Sequence, residues 1–200
     1  AKQRLSGLLS PTQRAELAAA MLSDVLSALA GAPLAVVMVN TADQESAALA
    51  RRHGARVVTE TAQDGHTAAV MAMARILAAA GVDTMLTIPG DLPLVTAEEV
   101  ARLCAAAPPA PSFTIVPSHD DRGSNAILLR PPGVVPLQFG DDSFLPHLAA
   151  ARALGLEPVV LRLPGIALDI DHPADLHALL RRSAGRQSPS TVLVRRWLDR

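Results

Sequence analysis

Helical and strand patterns alternate along the whole of this chain, and that alternation constrains it to an α/β layer architecture. Ser10-Pro11-Thr12-Gln13 places a capping Ser, a Pro at the first helical position and a Gln three residues on, so a helix is predicted from there to about residue 29. Gly31 and Pro33 stop it, and residues 34–39 form a continuous apolar run, the mark of a strand covered on both faces. The same reading predicts helices over 44–53, 66–80, 142–154 and from Pro173, with Gly54, Gly81 and Gly155 as left-handed terminators of the first three. It predicts strands over 56–59, 84–88, 113–116, 126–129, 159–163 and 167–170. Thr96-Ala97-Glu98-Glu99 reads as a second capping box, which makes 89–95 a loop between a strand end and a helix start. In α/β sheets ligands gather at such strand ends.

With 200 residues, one domain is expected: residues 1–182, followed by a polar tail over 183–200 whose last segment, 191–198, is a weak candidate for docking back. Composition then excludes whole classes of function. Eighteen basic against 19 acidic side chains leave a formal charge of −1, so no basic field exists to hold nucleic acid or an anionic membrane. Aromatic residues are 2% of the chain, too few for base-stacking platforms. The single cysteine, Cys104, allows no intrachain disulfide or zinc cluster and reads as a small core residue; with no apolar run of spanning length and no signal-peptide pattern, a soluble cytoplasmic protein is expected.

Three polar clusters fall at element ends. Gly90-Asp91-Leu92-Pro93 puts a carboxylate just past a buried strand, where a hard oxygen ligand suits Mg²⁺; capping of the next helix is the competing use. Asp169 and Asp171, two apart on a strand, point the same way and make a second candidate metal pair, while Asp171 or His172 could instead cap the helix that Pro173 begins. The third cluster joins Asp121-Arg122-Gly123-Ser124-Asn125 to Phe139-Gly140-Asp141-Asp142-Ser143-Phe144, offering hydroxyls and backbone N–H groups to an anion, with His147 one turn into the following helix. A single helical His is more often structural or solvated than a ligand. Gly-Lys-Ser/Thr phosphate loops, Gly-x-Ser-x-Gly elbows and His-Glu-x-x-His pairs do not occur.

Taken with Lys2-Gln3-Arg4-Leu5, these motifs, in their order and spacing, resemble one family: the CofC/FbiD-type guanylyltransferases of deazaflavin coenzyme F(420) biosynthesis. The resemblance covers most of the chain to about residue 180. It implies a three-layer α/β/α Rossmann-like nucleotidyltransferase fold with a mixed, mainly parallel sheet, and transfer of GMP from GTP to the phosphate of a small three-carbon phospho-acid with release of pyrophosphate. It also implies Mg²⁺ on Asp91 and on Asp169 or Asp171, Lys2 and Arg4 over the triphosphate, and an acid-binding loop of Ser124, Asn125, Gly140 and Ser143. Among acceptors, 3-phospho-D-glycerate is favoured over phosphoenolpyruvate and 2-phospho-L-lactate, and a homodimer is expected from superfamily habit. Two departures stand out. The family's opening strand and Val-Pro-x-Lys-type segment align ahead of and onto the first residues here, so that a strand is expected upstream of Ala1; and Gly65-His66-Thr67 stands where many members carry Gly-Leu-Asn beside the base. The competing readings are a molybdenum-cofactor or sugar-phosphate nucleotidyltransferase and a non-catalytic nucleotide-binding module.

Overall fold

The computed structural model describes residues 2–59, 65–183 and 185–198; Ala1 and residues 184, 199 and 200 of the expected tail lie outside them. Strands β3 (Met85–Thr87), β4 (Ser112–Pro117), β5 (Ser124–Arg130) and β6 (Val159–Val160) form a four-stranded sheet in the order β3-β5-β4-β6. Its β3–β5 and β5–β4 pairings are antiparallel and β4–β6 is parallel. Strands β1 (Met38–Asn40) and β2 (Arg56–Val58) pair in parallel beside it. The sheets are mixed, with helices on both faces.

Side-chain alternation builds the layers. On β4, Phe113 and Ile115 point to one face, where they meet α3 (His66–Ala79) and α5 (Phe144–Ala153) through Val70, Met73 and Leu148. Val116 points to the other, toward α1 (Pro11–Ala30) and α4 (Ala97–Ala106), where Val25, Leu29, Val100 and Leu103 gather. Each fully buried aliphatic or aromatic side chain in these layers contributes about 2 kcal/mol of transfer free energy. The capping box at α1 is formed as expected, Ser10 Oγ accepting from Gln13 N–H at 3.2 Å and Gln13 Oε1 from Ser10 N–H at 2.9 Å. At α4 only half of it forms: Thr96 Oγ1 accepts from Glu99 N–H, but the Glu99 carboxylate turns away to take the Gly165 N–H at 2.7 Å, fixing the turn ahead of Asp169.

Three strand expectations are corrected. The 34–39 run pairs only from Met38, because its partner β2 is three residues long and a ladder is no longer than its shorter strand. The 159–163 run is trimmed to Val159–Val160. Residues 167–170 form no strand: the Ala167 carbonyl accepts from His119 N–H and the Ile170 N–H donates to the Asp91 carbonyl, so the segment is pinned between two loops, and its apolar Leu168 and Ile170 mark burial, not pairing. Helix α2 (Gln44–Arg52) packs on α1, and α6 (Pro173–Arg182) follows the 167–172 segment. The stretch read as a tail carries a further helix, α7 (Pro189–Leu198), which lies on α1. Its first turn is tethered by Asp24 of α1, whose Oδ2 accepts from the N–H of Ser190 at 3.2 Å and from the Ser188 and Ser190 hydroxyls. No helix among the described residues is long and apolar enough to cross a membrane.

Candidate active site

The carboxylates converge on the N-terminal segment. Lys2 Nζ lies 2.6 Å from Asp91 Oδ2 and 2.9 Å from Asp171 Oδ1, with its side chain only 10% exposed. Burial works to lower the ammonium's pKa, but the charge and hydrogen bond of Asp91, joined by those of Asp171, outweigh it and the pKa is raised. Lys2 is held in the left-handed region at φ 54°, ψ 50°, a conformation a Lys adopts at a cost of roughly 1 kcal/mol that its two ion pairs offset. Arg4 extends the network outward, donating to Asp171 Oδ2 at 3.2 Å and to both oxygens of Asp141 at 2.9 and 3.1 Å. For Asp171, burial pushes the carboxyl pKa up and the Lys2 hydrogen bond and charge, with Arg4, pull it down; the net shift is downward.

Asp91 does not cap α4; Thr96 does. His172 stands at the N-cap of α6, where Asp175 Oδ2 reaches back to accept from the N–H groups of Asp171 at 2.9 Å and His172 at 2.6 Å; the Asp171 side chain takes no part in the cap. That leaves the Asp171 carboxylate to the cations. Asp169 faces inward: its Oδ1 accepts from Asn125 Nδ2 at 3.1 Å, and burial foremost, with the nearby charges of Asp91 and Asp171, raises its pKa. Among the described residues no group of three or more His, Cys, Asp or Glu side chains is arranged to hold a metal ion. The donor set nevertheless fits a hard divalent cation, since Asp91 Oδ1 is buried with no hydrogen-bond partner and an ammonium already occupies the space between Asp91 and Asp171.

The second half of the site is neutral and buried. Ser124 and Asn125, adjacent on β5, face opposite ways: Asn125 toward Asp169, Ser124 toward Ser143 and His147. Ser143 Oγ donates to Ser124 Oγ at 3.2 Å, and Ser124 Oγ lies 2.9 Å from His147 Nδ1. His147, read from sequence as most often structural or solvated, is 1% exposed and uses both ring nitrogens, Nε2 accepting from the Gln138 N–H at 2.9 Å. Burial drops its pKa to about 4, so the ring is neutral. The loop before Gly140 is held by side chains, with the N–H of Leu137 on Met71 Sδ at 3.3 Å and that of Phe139 on Thr67 Oγ1 at 3.0 Å. The Phe139 ring is wedged edge-on between His66 and His147, at centroid distances of 4.5 and 5.3 Å. Gly140 joins Gly65, His66, Thr67 and Phe139 in lining a cleft of about 620 Å³.

Met71 and the Gln138 N–H were not legible as site groups, since nothing local to them marks the contact, and Thr67 was read only beside the base and not as the acceptor of the Phe139 N–H. Lys2 and Arg4, in contrast, meet the carboxylates that the motifs pointed to. The two halves are joined by Arg4, which spans Asp171 and Asp141, and by β5.

A mixed sheet between helical layers is a fold this chain shares with solved nucleotidyltransferases. A cytidylyltransferase from Leptospira borgpetersenii superposes with a TM-score of 0.59 over 90% of this chain and 83% of its own, at 13% identity. Within that class, residues 1–192 match the family described as "Guanylyl transferase CofC like". The chain belongs to this family. It is 40% identical over 187 residues to a phosphoenolpyruvate guanylyltransferase from Rubrobacter xylanophilus, covering 94% of this chain and 90% of that protein. To a 3-phospho-D-glycerate guanylyltransferase from Colwellia psychrerythraea it is 36% identical over 179 residues, covering 89% and 84%.

Proposed function

We propose that this chain transfers GMP from GTP to the phosphate of a small three-carbon phospho-acid, as a step of coenzyme F(420) biosynthesis. The observation that carries the reading is the meeting of Lys2, Asp91 and Asp171 within ion-pair distance beside the Ser124–Ser143–His147 cluster, in a chain of the CofC-like family. An acceptor phosphate oxygen is already anionic at neutral pH, so no strong base is needed. It forms a bond to the α-phosphorus of GTP while the bond from that phosphorus to the bridging oxygen breaks, and pyrophosphate leaves with the electron pair. The barrier is the approach of two anions. Lys2 and Arg4 meet it with charge, and the residues between Ser124 and Ser143 hold the acid in line. Mg²⁺ on Asp91 with Asp169 or Asp171, when bound, neutralises phosphoryl oxygens. The cleft at Gly65-His66-Thr67 takes the guanine side of the nucleotide.

The family resemblance of the sequence leans to 3-phospho-D-glycerate as acceptor; the name carried by the relative at 40% identity favours phosphoenolpyruvate, and we adopt phosphoenolpyruvate with 3-phospho-D-glycerate as the second reading. Incubating the chain with GTP, Mg²⁺ and each of phosphoenolpyruvate, 3-phospho-D-glycerate and 2-phospho-L-lactate tests this. The phosphoenolpyruvate adduct of GMP is the expected mass. No adduct and no Mg²⁺-dependent GTP binding by calorimetry would leave a non-catalytic module. A cytoplasmic setting and association into a homodimer belong to the same reading, the latter testable by light scattering.

A further inference from the structure

We infer that His147 is the positioning residue of the acid-binding loop: a neutral imidazole of fixed tautomer that turns the Ser124 hydroxyl into a donor toward the acid substrate while holding the chain ahead of Gly140 in place. The inference rests on the proposed acid site and assigns it a residue beyond those that touch the ligand. The tautomer follows from the partners. A backbone N–H can only donate, so Nε2, which receives the Gln138 N–H, carries no proton. The ring proton is therefore on Nδ1 and is given to Ser124 Oγ. Ser124 Oγ accepts a second time from Ser143. A hydroxyl has two lone pairs and one proton, so with both lone pairs engaged its proton is left for an outside acceptor. An oxygen of a carboxylate or phosphate is such an acceptor, and the charge-assisted bond it makes is of the stronger kind.

The other ring nitrogen acts on the loop. Gln138 N–H is one of three consecutive backbone donors, from Leu137 to Phe139, whose acceptors are all side chains: Met71, His147 and Thr67. Of these acceptors, His147 is the one that, among the described residues, is also hydrogen-bonded to Ser124. Its ring thus links the two walls of the acid site, and burial, which drops its pKa to about 4, keeps it from gaining the proton that would break the Gln138 contact.

The test uses the full chain with GTP and phosphoenolpyruvate, following product mass and steady-state rates for His147→Gln, His147→Ala, Ser124→Ala and the Ser124→Ala/His147→Ala double variant. Loss of one oriented charge-assisted donor corresponds to about tenfold. Ser124→Ala and His147→Ala are expected to raise KM for the acid about tenfold or more while KM for GTP stays within about twofold, and the double variant is no worse than the poorer single one. His147→Gln, whose Oε1 can still take the Gln138 N–H, recovers part of the loss. Equal shifts in both KM values, a fall in kcat alone, or additive losses in the double variant overturn the assignment. Should His147→Ala fail to fold, Ser124→Ala and its combination with His147→Gln decide by the same criteria. If the unsubstituted chain forms no adduct with any of the acids, the proposed reaction falls and the inference with it. If it forms one and the acid KM is unmoved in the variants, only the inference falls.

Discussion

At one end of the site Lys2, Asp91, Asp171 and Arg4 are joined by ion pairs between segments up to 169 residues apart, with Asp91 and Asp171 side chains 30% and 38% exposed. At the other end Ser124, Ser143 and His147 are buried, uncharged, and hydrogen-bonded to one another, with both ring nitrogens of His147 engaged. The difference is one of exchangeability. A partly solvated carboxylate can trade its ammonium partner for another cation or release it to a phosphate, at less desolvation cost than a fully buried group would pay. A buried hydroxyl between an imidazole and a second hydroxyl has no water to fall back on, so its geometry is fixed before any ligand arrives. Under the proposed reaction the first end meets the mobile, variably charged triphosphate and the second sets the position of a small acid.

The largest expected effect breaks the charged end. Asp91→Asn keeps the shape and removes the charge that Lys2 uses and that, under the proposed reaction, a divalent cation would use; pyrophosphate release should fall by about 10³, with the melting temperature nearly unchanged. A rate within a few fold of the original would remove Asp91 from the chemistry. Next comes the neutral end, through stability. His147 titrates near 6.5 when unfolded and at about 4 when folded. The unfolded chain therefore binds the proton first, so the stability tied to the neutral ring is complete above pH 6.5 and is lost as pH falls toward 4, on the order of 3 kcal/mol in all. Asp24 and Asp169, whose pKa values burial raises, act with the opposite sign as pH falls. Denaturant midpoints should therefore be compared between the unsubstituted chain and His147→Gln, whose profile should be flatter from pH 6.5 to 4; parallel profiles would contradict a neutral buried ring.

A smaller effect is expected at Lys2. Lys2→Met leaves Asp91 and Asp171 facing each other without their ammonium, so the rate should fall by about 10², chiefly as a higher KM for GTP. Raising Mg²⁺ should recover part of it if the two carboxylates take the metal. No recovery at any Mg²⁺ concentration would place the metal elsewhere.

The same contrast decides what was legible in the sequence. The charged end announces itself locally, because Asp91 stands in a Gly- and Pro-bounded loop past a strand and Asp169-x-Asp171 stands just ahead of the Pro that begins a helix, even though capping was a competing use of each. Helix starts such as Ser10-Pro11 were legible because a cap is completed within four residues. The neutral end is not local: His147 looks like any helical His until Gln138 and Ser124, 9 and 23 residues away, are brought to its two nitrogens. Glu99 was misread for the same reason, its carboxylate serving Gly165 and not its own helix start. The apolar alternation of Leu168 and Ile170 predicted pairing where there is only burial, since hydrophobic pattern reports which side chains leave water and says nothing of where the backbone N–H groups go.

The smallest effect marks the boundary between the two ends. Arg122 holds Asp142 through Nε and Nη2 at 2.6 and 3.1 Å, and both side chains are mostly exposed. An exposed pair of this kind contributes little to folding even when bidentate, because water already solvates both charges and two long side chains must be ordered. Arg122→Ala should therefore leave the melting temperature unchanged, and leave KM for the acid within about twofold if Ser124 and the backbone of the Gly140 loop hold the acid alone. A larger rise in that KM, with folding intact, would mean that the guanidinium abandons Asp142 for the incoming anion. The acid end would then need an exchangeable cation of its own, as the triphosphate end does.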